Sequence, residues 1–288
     1  VLILFSIAYG STVGSIGTPS GGARNAIILE YLRTITNNGI TLTYFQWMIM
    51  AYPMVIIGML GTTFLLQRVF KPELKLMDTA IRRLKIQVAH KGNIKGNEYL
   101  TIIIFIVVFL CWIFLNERFG LGIIAIGGAF LYIATGLVEW KQVSRNTNWG
   151  VILLFSGVIS LGVQMKNTGA ALWIGNFVIG QFSIIINQFS MIPYILNIFL
   201  TTLLSNIMSS SATVAILGPI TLNMGGDPIY MGMTTAISSA FGYFSAIAAP
   251  ACMIIYSSGL VKLTDFLRAG WRIAIMSTIS LLIICKFY

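Results

Sequence analysis

The chain has 288 residues, of which 57% are hydrophobic and 9% charged, with a net charge of +10 and a mean hydropathy of +0.88. Soluble domains carry about 25% charged residues, so the composition excludes one and points to an integral membrane protein. Three cysteines, one histidine and eight carboxylates leave little for a disulfide framework, a metal cluster or acid–base catalysis, which argues against a hydrolase, a redox enzyme and a nucleic-acid binder. Val1 already lies in an apolar run, without an initiator Met, a basic leader or a preceding loop, so the chain is expected to start partway through a larger protein.

Charge-free stretches run over 1–23, 34–67, 99–116, 119–138, 146–165, 167–226 and 228–261, and a last apolar segment covers 269–288. They are continuous rather than alternating, so helices are predicted, not barrel strands. The stretches 99–116, 119–138 and 146–165 each fit one span of about 20 residues. The stretch 167–226 is too long for one span and too short for three, and it is rich in small polar residues. That predicts a re-entrant segment, which a membrane tolerates only when protein or a wet cavity surrounds it. The one substantial charged loop covers 68–98 and contains His90. With that loop in the cytoplasm, thirteen of the eighteen Lys and Arg fall inside, as the positive-inside rule requires, and 34–41 becomes an outside loop. Trp140, Trp149, Trp271 and Tyr99 stand at segment ends, where interface anchors belong.

Three segments do not read as plain spans. In 9–25, five glycines, Pro19 and the hydroxyls of Ser11, Thr12, Ser15 and Thr18 precede Arg24, so the helix is expected to unwind and restart near 20–23. An unwound turn exposes carbonyls suited to sodium. A restarting helix offers free N–H groups and a positive dipole end, suited to an anion. Arg24 is expected either to bind an anionic substrate or to pair with Glu30. In 201–219, Ser209, Ser210, Ser211 and Thr213 form the polar tip of a predicted hairpin, with serines as N-caps of its second arm. In 242–259, Pro250 interrupts a second apolar helix. The two Pro-broken helices run in opposite directions in the topology above, the pattern of an inverted-repeat transporter. An intramembrane protease would need a Ser/His or paired Asp arrangement within the spans. His90 lies in the loop, and Asp227 and Asp265 lie at segment ends, so no enzyme is expected.

Against these motifs the chain resembles the divalent anion:sodium symporter family, carriers of dicarboxylates, citrate and sulfate. Ser15-Ile16-Gly17-Thr18-Pro19 followed by Asn25-Ala26-Ile27 is similar to that family's glycine-threonine-proline-proline-asparagine turn. Ser209-Ser210-Ser211-Ala212-Thr213 stands where the family has its serine-asparagine-threonine motif. The run from Trp149 to Gly157 with Thr168-Gly169, and the closing stretch with Tyr256-Ser257-Ser258-Gly259 and Asp265-Phe266-Leu267-Arg268, match in order. Ser210 and Ser211 replace the asparagine and threonine, and Ala249-Pro250-Ala251-Cys252 replaces threonine-proline-proline-asparagine. An arsenite permease or a sodium/proton antiporter of the wider superfamily is the alternative.

The resemblance implies an all-α inverted-repeat carrier with discontinuous helices and a re-entrant hairpin over about 190–220. Residues 1–98 would close the first repeat and 99–288 form the second. It implies sodium-coupled transport of a small divalent anion by an elevator-type movement, with membrane lipid around the protein, a homodimer, and no cofactor beyond the coupling ion. Sodium would meet Gly17, Ser205, Met208, Ser210 and Ala248. Substrate would meet Thr18, Pro19, Ser210, Ser211, Ala249 and Pro250. A first hairpin would lie before Val1.

Overall fold

A computed structural model describes residues 1–35, 40–71, 82, 85, 86, 89, 96–147, 149–181 and 191–287. His90, most of the basic loop and residues 36–39 of the expected outside loop lie outside the described residues. Among the described residues every regular element is helical, as the continuous apolar runs require. Among the described residues three helices are long and apolar enough to cross a membrane: Tyr44–Val69, Gly96–Asn116 and Leu263–Lys286.

The chain folds as two compact units, one of Val1–Phe70 with Trp149–Tyr288 and the other of Lys71–Asn148. The larger unit opens with α1 (Leu2–Gly14), a 3-10 turn (Pro19–Gly21) and α2 (Ala23–Ile35). Helix α3 (Tyr44–Val69) follows, started by a capping box in which Thr43 Oγ1 accepts from Gln46 N at 2.9 Å and Gln46 Oε1 accepts from Thr43 N at 3.0 Å.

The smaller unit is built on α4 (Gly96–Ala134), which breaks at Gly120. There φ is 76°, a left-handed conformation that favours glycine. The chain doubles back at that point. Trp112 Nε1 donates to Leu121 O at 3.2 Å and Tyr132 OH donates to Thr101 O at 3.0 Å, so the two arms lie antiparallel. The break agrees with the expected division between 99–116 and 119–138, and of the two arms Gly96–Asn116 is long and apolar enough to span while Arg118–Ala134 is shorter. The outer surface of the pair is apolar and bare. Phe114 is 75% exposed, an arrangement stable in hydrocarbon and costly in water. A short helix α5 (Trp140–Asn146) ends the unit.

The larger unit resumes with α6 (Trp149–Asn167), α7 (Ala170–Gln181), α8 (Ile192–Ser205), α9 (Ser210–Thr221), α10 (Pro228–Ser238), α11 (Pro250–Ser257) and α12 (Leu263–Phe287). Helices α8 and α9 have 14 and 12 residues. At 1.5 Å per residue they are about 21 and about 18 Å long, against a hydrocarbon core of about 30 Å. They pack on each other across the turn at 206–209. Helix α10 starts at Asp227, whose Oδ1 accepts from Ile229 N at 2.8 Å and Tyr230 N at 3.3 Å, with Pro228 supplying the fixed first-turn φ.

The two broken helices have the same local backbone. Thr18 sits at φ −133°, ψ 150° and Ala249 at φ −138°, ψ 144°, each immediately before a proline that opens the next helix. Steric conflict with the proline ring drives the preceding residue to this extended region. They also pack crosswise. Helix α1 lies against α11, and α2 against α10, so the first half of each meets the second half of the other. Aromatic rings knit the centre: Phe5 packs on Tyr9, Phe70 and Phe266 at centroid distances of 5.1, 5.1 and 4.9 Å, and Tyr9 meets Tyr243 at 5.0 Å. Each such pair contributes roughly 0.5–1.5 kcal/mol beyond area burial.

Candidate functional site

The first break spans Ser15 to Gly22, and the residues that stabilise it are polar and buried. Asn25, fully buried, donates from Nδ2 to Ser15 O at 2.9 Å and to Thr18 O at 2.8 Å, tying the restarting helix back to the unwound turn. Trp47 Nε1 on α3 donates to Ile16 O at 3.0 Å. Carbonyls that lost their helical partners are thereby satisfied by side chains. Gly21 passes so close to the Ser15 carbonyl oxygen that a Cβ would overlap it.

The hairpin tip meets the second break directly. Ser210 donates to the Ala248 carbonyl twice, from its backbone N at 3.2 Å and from Oγ at 3.0 Å. Ser209 Oγ accepts from Ala212 N at 3.3 Å, the N-cap expected for the second arm. Asn206 Oδ1 accepts from Phe244 N at 2.9 Å, a second link from the tip to the unwound segment. A Cβ on Gly242 would overlap Ala248 Cβ and lie 2.8 Å from Ser205 O, so the turn, the tip and the end of α8 touch through bare backbone.

These pieces surround one cavity of about 480 Å³. Its wall is made by Ser11, Thr12 and Ser15 from the end of α1, by Gly21, Gly22, Ala23 and Arg24 at the start of α2, by Ser209, Ser210 and Ser211 at the start of α9, and by Ala248 to Ala251 at the start of α11. Three helix N-termini therefore open onto it. Each brings about half a positive charge, and the wall contains no carboxylate among the described residues. The volume falls in the range of small-molecule pockets, roughly 300–1,000 Å³. Chemically the surface is a donor-rich lining of hydroxyls and amides.

Of the residues predicted from sequence, Ser210, Ser211, Ala248, Ala249 and Pro250 lie on this wall. Ser205, fully buried, stands behind it near Ala248, with its Oγ donating to Thr202 O at 2.9 Å. Met208 lies in the turn between α8 and α9, its N–H donating to Leu204 O at 2.9 Å. Gly17, Thr18 and Pro19 are off the wall. Gly17 lies against Val55 and Tyr52 of α3, and the Thr18 carbonyl is taken by Asn25 and Gly21. The helix restarts at Ala23, within the expected 20–23, after a 3-10 turn over Pro19–Gly21. Gly21 and Gly22 therefore occupy the wall instead. Arg24 does not turn to Glu30, which is six residues on along the same helix and so on another face. It reaches α1, donating from Nη2 to Ser15 Oγ at 2.6 Å and to Thr12 O at 3.5 Å.

A polar network behind the hairpin escaped the sequence reading. Asn197 on α8 donates to Met231 O, Thr234 Oγ1 and Thr235 Oγ1 on α10 at 3.1, 2.9 and 3.0 Å. Its Oδ1 accepts from Thr201 and Thr235, both at 3.1 Å. Thr221 of α9 joins through Thr235 at 2.9 Å. All are buried. The available signal was the spacing of Asn197, Thr201 and Ser205 by four, a polar stripe on one face of an apolar helix.

Comparison with known proteins matches residues 1–288 to the model of the sodium:sulfate symporter transmembrane region. An uncharacterized transporter of Haemophilus influenzae is 28% identical, with 97% of this chain and 61% of that protein aligned. A sodium-dependent dicarboxylate transporter of Staphylococcus aureus is 24% identical, over 99% of this chain and 58% of its own length. A sodium-dependent high-affinity dicarboxylate transporter of Caenorhabditis elegans is 22% identical, over 95% and 54%. The chain thus spans between 54% and 61% of the lengths of these relatives.

Proposed function

The chain belongs to the sodium:sulfate symporter transmembrane family, a multi-pass membrane family of carriers and not of enzymes, and on that premise we propose that the whole protein is a sodium-coupled carrier of small divalent anions. The cavity is where the anion binds. One observation carries this reading: the N-termini of α2, α9 and α11 open onto a single carboxylate-free space lined by serines. Two or three half-charges with a ring of hydroxyls can hold a dianion, yet remain weak enough to release it. Relatives that carry dicarboxylates with sodium support a dicarboxylate as cargo, and the family description supports sulfate.

Sodium supplies the remaining positive charge. The cluster of Ser205, Ser210 and the Ala248 carbonyl offers the hard oxygen atoms that this ion takes. Ser210 now occupies the Ala248 carbonyl, so binding an ion there requires its hydroxyl to turn from donating to accepting. A second ion site would lie at the first break, where the Ser15 and Thr18 carbonyls are gathered by Asn25.

The matched backbone at Thr18 and Ala249, with the crosswise packing of the two broken helices, supports an inverted repeat. Residues 1–98 would end the first half and 99–288 form the second. In this reading α8 and α9 form a re-entrant hairpin. The hairpin and both broken helices belong to one compact unit and move together as the elevator. The reading includes a homodimer as the working assembly.

The test is uptake of labelled sulfate, succinate and citrate by the full-length protein in vesicles. Uptake should collapse when choline replaces sodium. Undiminished uptake in choline, driven by a proton gradient, would refute sodium coupling.

A further inference from the structure

The cavity wall carries one charged side chain, Arg24, and no carboxylate to neutralise it. Arg24 is only 7% exposed, a burial that is expensive for a permanent cation unless a counter-charge arrives. Its hydrogen bonds are incomplete. Nη2 donates to Ser15 Oγ at 2.6 Å and to Thr12 O at 3.5 Å, which ties that one nitrogen to α1. Nε is buried without a partner, and Nη1 donates to no described residue while lying over Gly22, where a Cβ would be 3.3 Å from it. Glu30, the nearest acidic residue along α2, is exposed and on another face. A tethered, unsaturated guanidinium beside three helix N-termini is a site prepared for an oxyanion.

We propose that Arg24 is a direct ligand of the transported anion, a fixed charge whose Nη1 donates to an oxygen of a carboxylate or a sulfate. The proposal rests on the reading of the cavity as the anion site. The geometry divides the labour. Serine hydroxyls and helix N-termini surround the cargo with weak dipoles, while Arg24 supplies one full charge that stays in place through the cycle. Arginine suits the role better than lysine because Ser15 and Thr12 hold Nη2 while Nη1, over Gly22 on the wall, stays available to the ligand.

Succinate and sulfate uptake by the full-length protein in proteoliposomes, with sodium outside and choline inside, tests this, with the thermal midpoint of each variant recorded. Loss of a hydrogen bond to a charged group predicts a roughly ten- to hundredfold rise in apparent KM for Arg24→Gln. Arg24→Lys keeps the charge and should recover most of the affinity. Phenylglyoxal, which modifies arginine, should inactivate the wild type, succinate should protect it, and Arg24→Lys should resist. Should Arg24→Gln fail to fold, the lysine variant and the protection experiment decide. A folded Arg24→Gln with unchanged KM overturns the proposal. So does an Arg24→Lys variant that is inactivated as fast as the wild type, with no protection. Wild-type vesicles that take up neither anion would instead remove the reading of the cavity, and this proposal with it.

Discussion

Replacing Asn25 by alanine should loosen the first break and the cavity together. Asn25 is fully buried, and its Nδ2 makes two hydrogen bonds, to Ser15 O and Thr18 O. A hydrogen bond of this kind contributes about 0.5–1.5 kcal/mol net, and a buried carbonyl left without a donor costs about 1–3 kcal/mol. The Thr18 carbonyl keeps a donor in Gly21 N at 3.0 Å, so Ser15 O suffers most. Removal of the unpartnered Asn25 Oδ1 offsets part of the loss. The balance is about 2–3 kcal/mol, or a fall in Tm of roughly 4–12 °C for a protein of this size. Asn25→Asp keeps the shape but sets a carboxylate against two carbonyl oxygens, and should destabilise at least as much. Because Asn25 follows Arg24 and fixes the restart of α2, anion affinity should fall in the same variants. Thermal unfolding in detergent, paired with uptake, reads both quantities. An Asn25→Ala protein with unchanged Tm would refute the account of how the break is held.

Ser210→Ala removes the hydroxyl bond to Ala248 O but leaves the backbone bond, so Tm should drop by the equivalent of about 1 kcal/mol or less while apparent anion affinity falls roughly tenfold. Ser257→Ala, which loses only an exposed bond to Ile254 O, serves as the comparison and should leave uptake unchanged. For orientation, an impermeant maleimide should label Arg33→Cys from outside intact cells and Lys262→Cys only after permeabilisation. The reverse pattern would invert the topology.

Much was legible in the sequence because a membrane removes alternatives. With no water to satisfy backbone groups, a continuous apolar run must be helical, so the elements and the breaks at Pro19 and Pro250 follow from composition and punctuation alone. Ser209 as a cap follows the same logic, whereas Ser210, Ser211 and Ala248 to Pro250 as site residues follow from the family resemblance. The restart near 20–23 was legible, but the form of the chain just before it was not. Pro19 opens a 3-10 turn rather than the helix itself, and whether that turn ends at Gly21 depends on its packing against the Ser15 carbonyl and on the clamp from Asn25, contacts that exist only once the chain is folded. The direction of Arg24 was equally undecided, since an arginine near a helix start can serve α1, Glu30 or a ligand with the same local sequence. Composition and periodicity determined the solvent, the helices and the places where they break, because those depend on each segment's own exchange of water for hydrocarbon. Tertiary structure alone decided which broken ends converge on one cavity and which residues line it, because that depends on how separated segments satisfy one another's unpaired backbone groups.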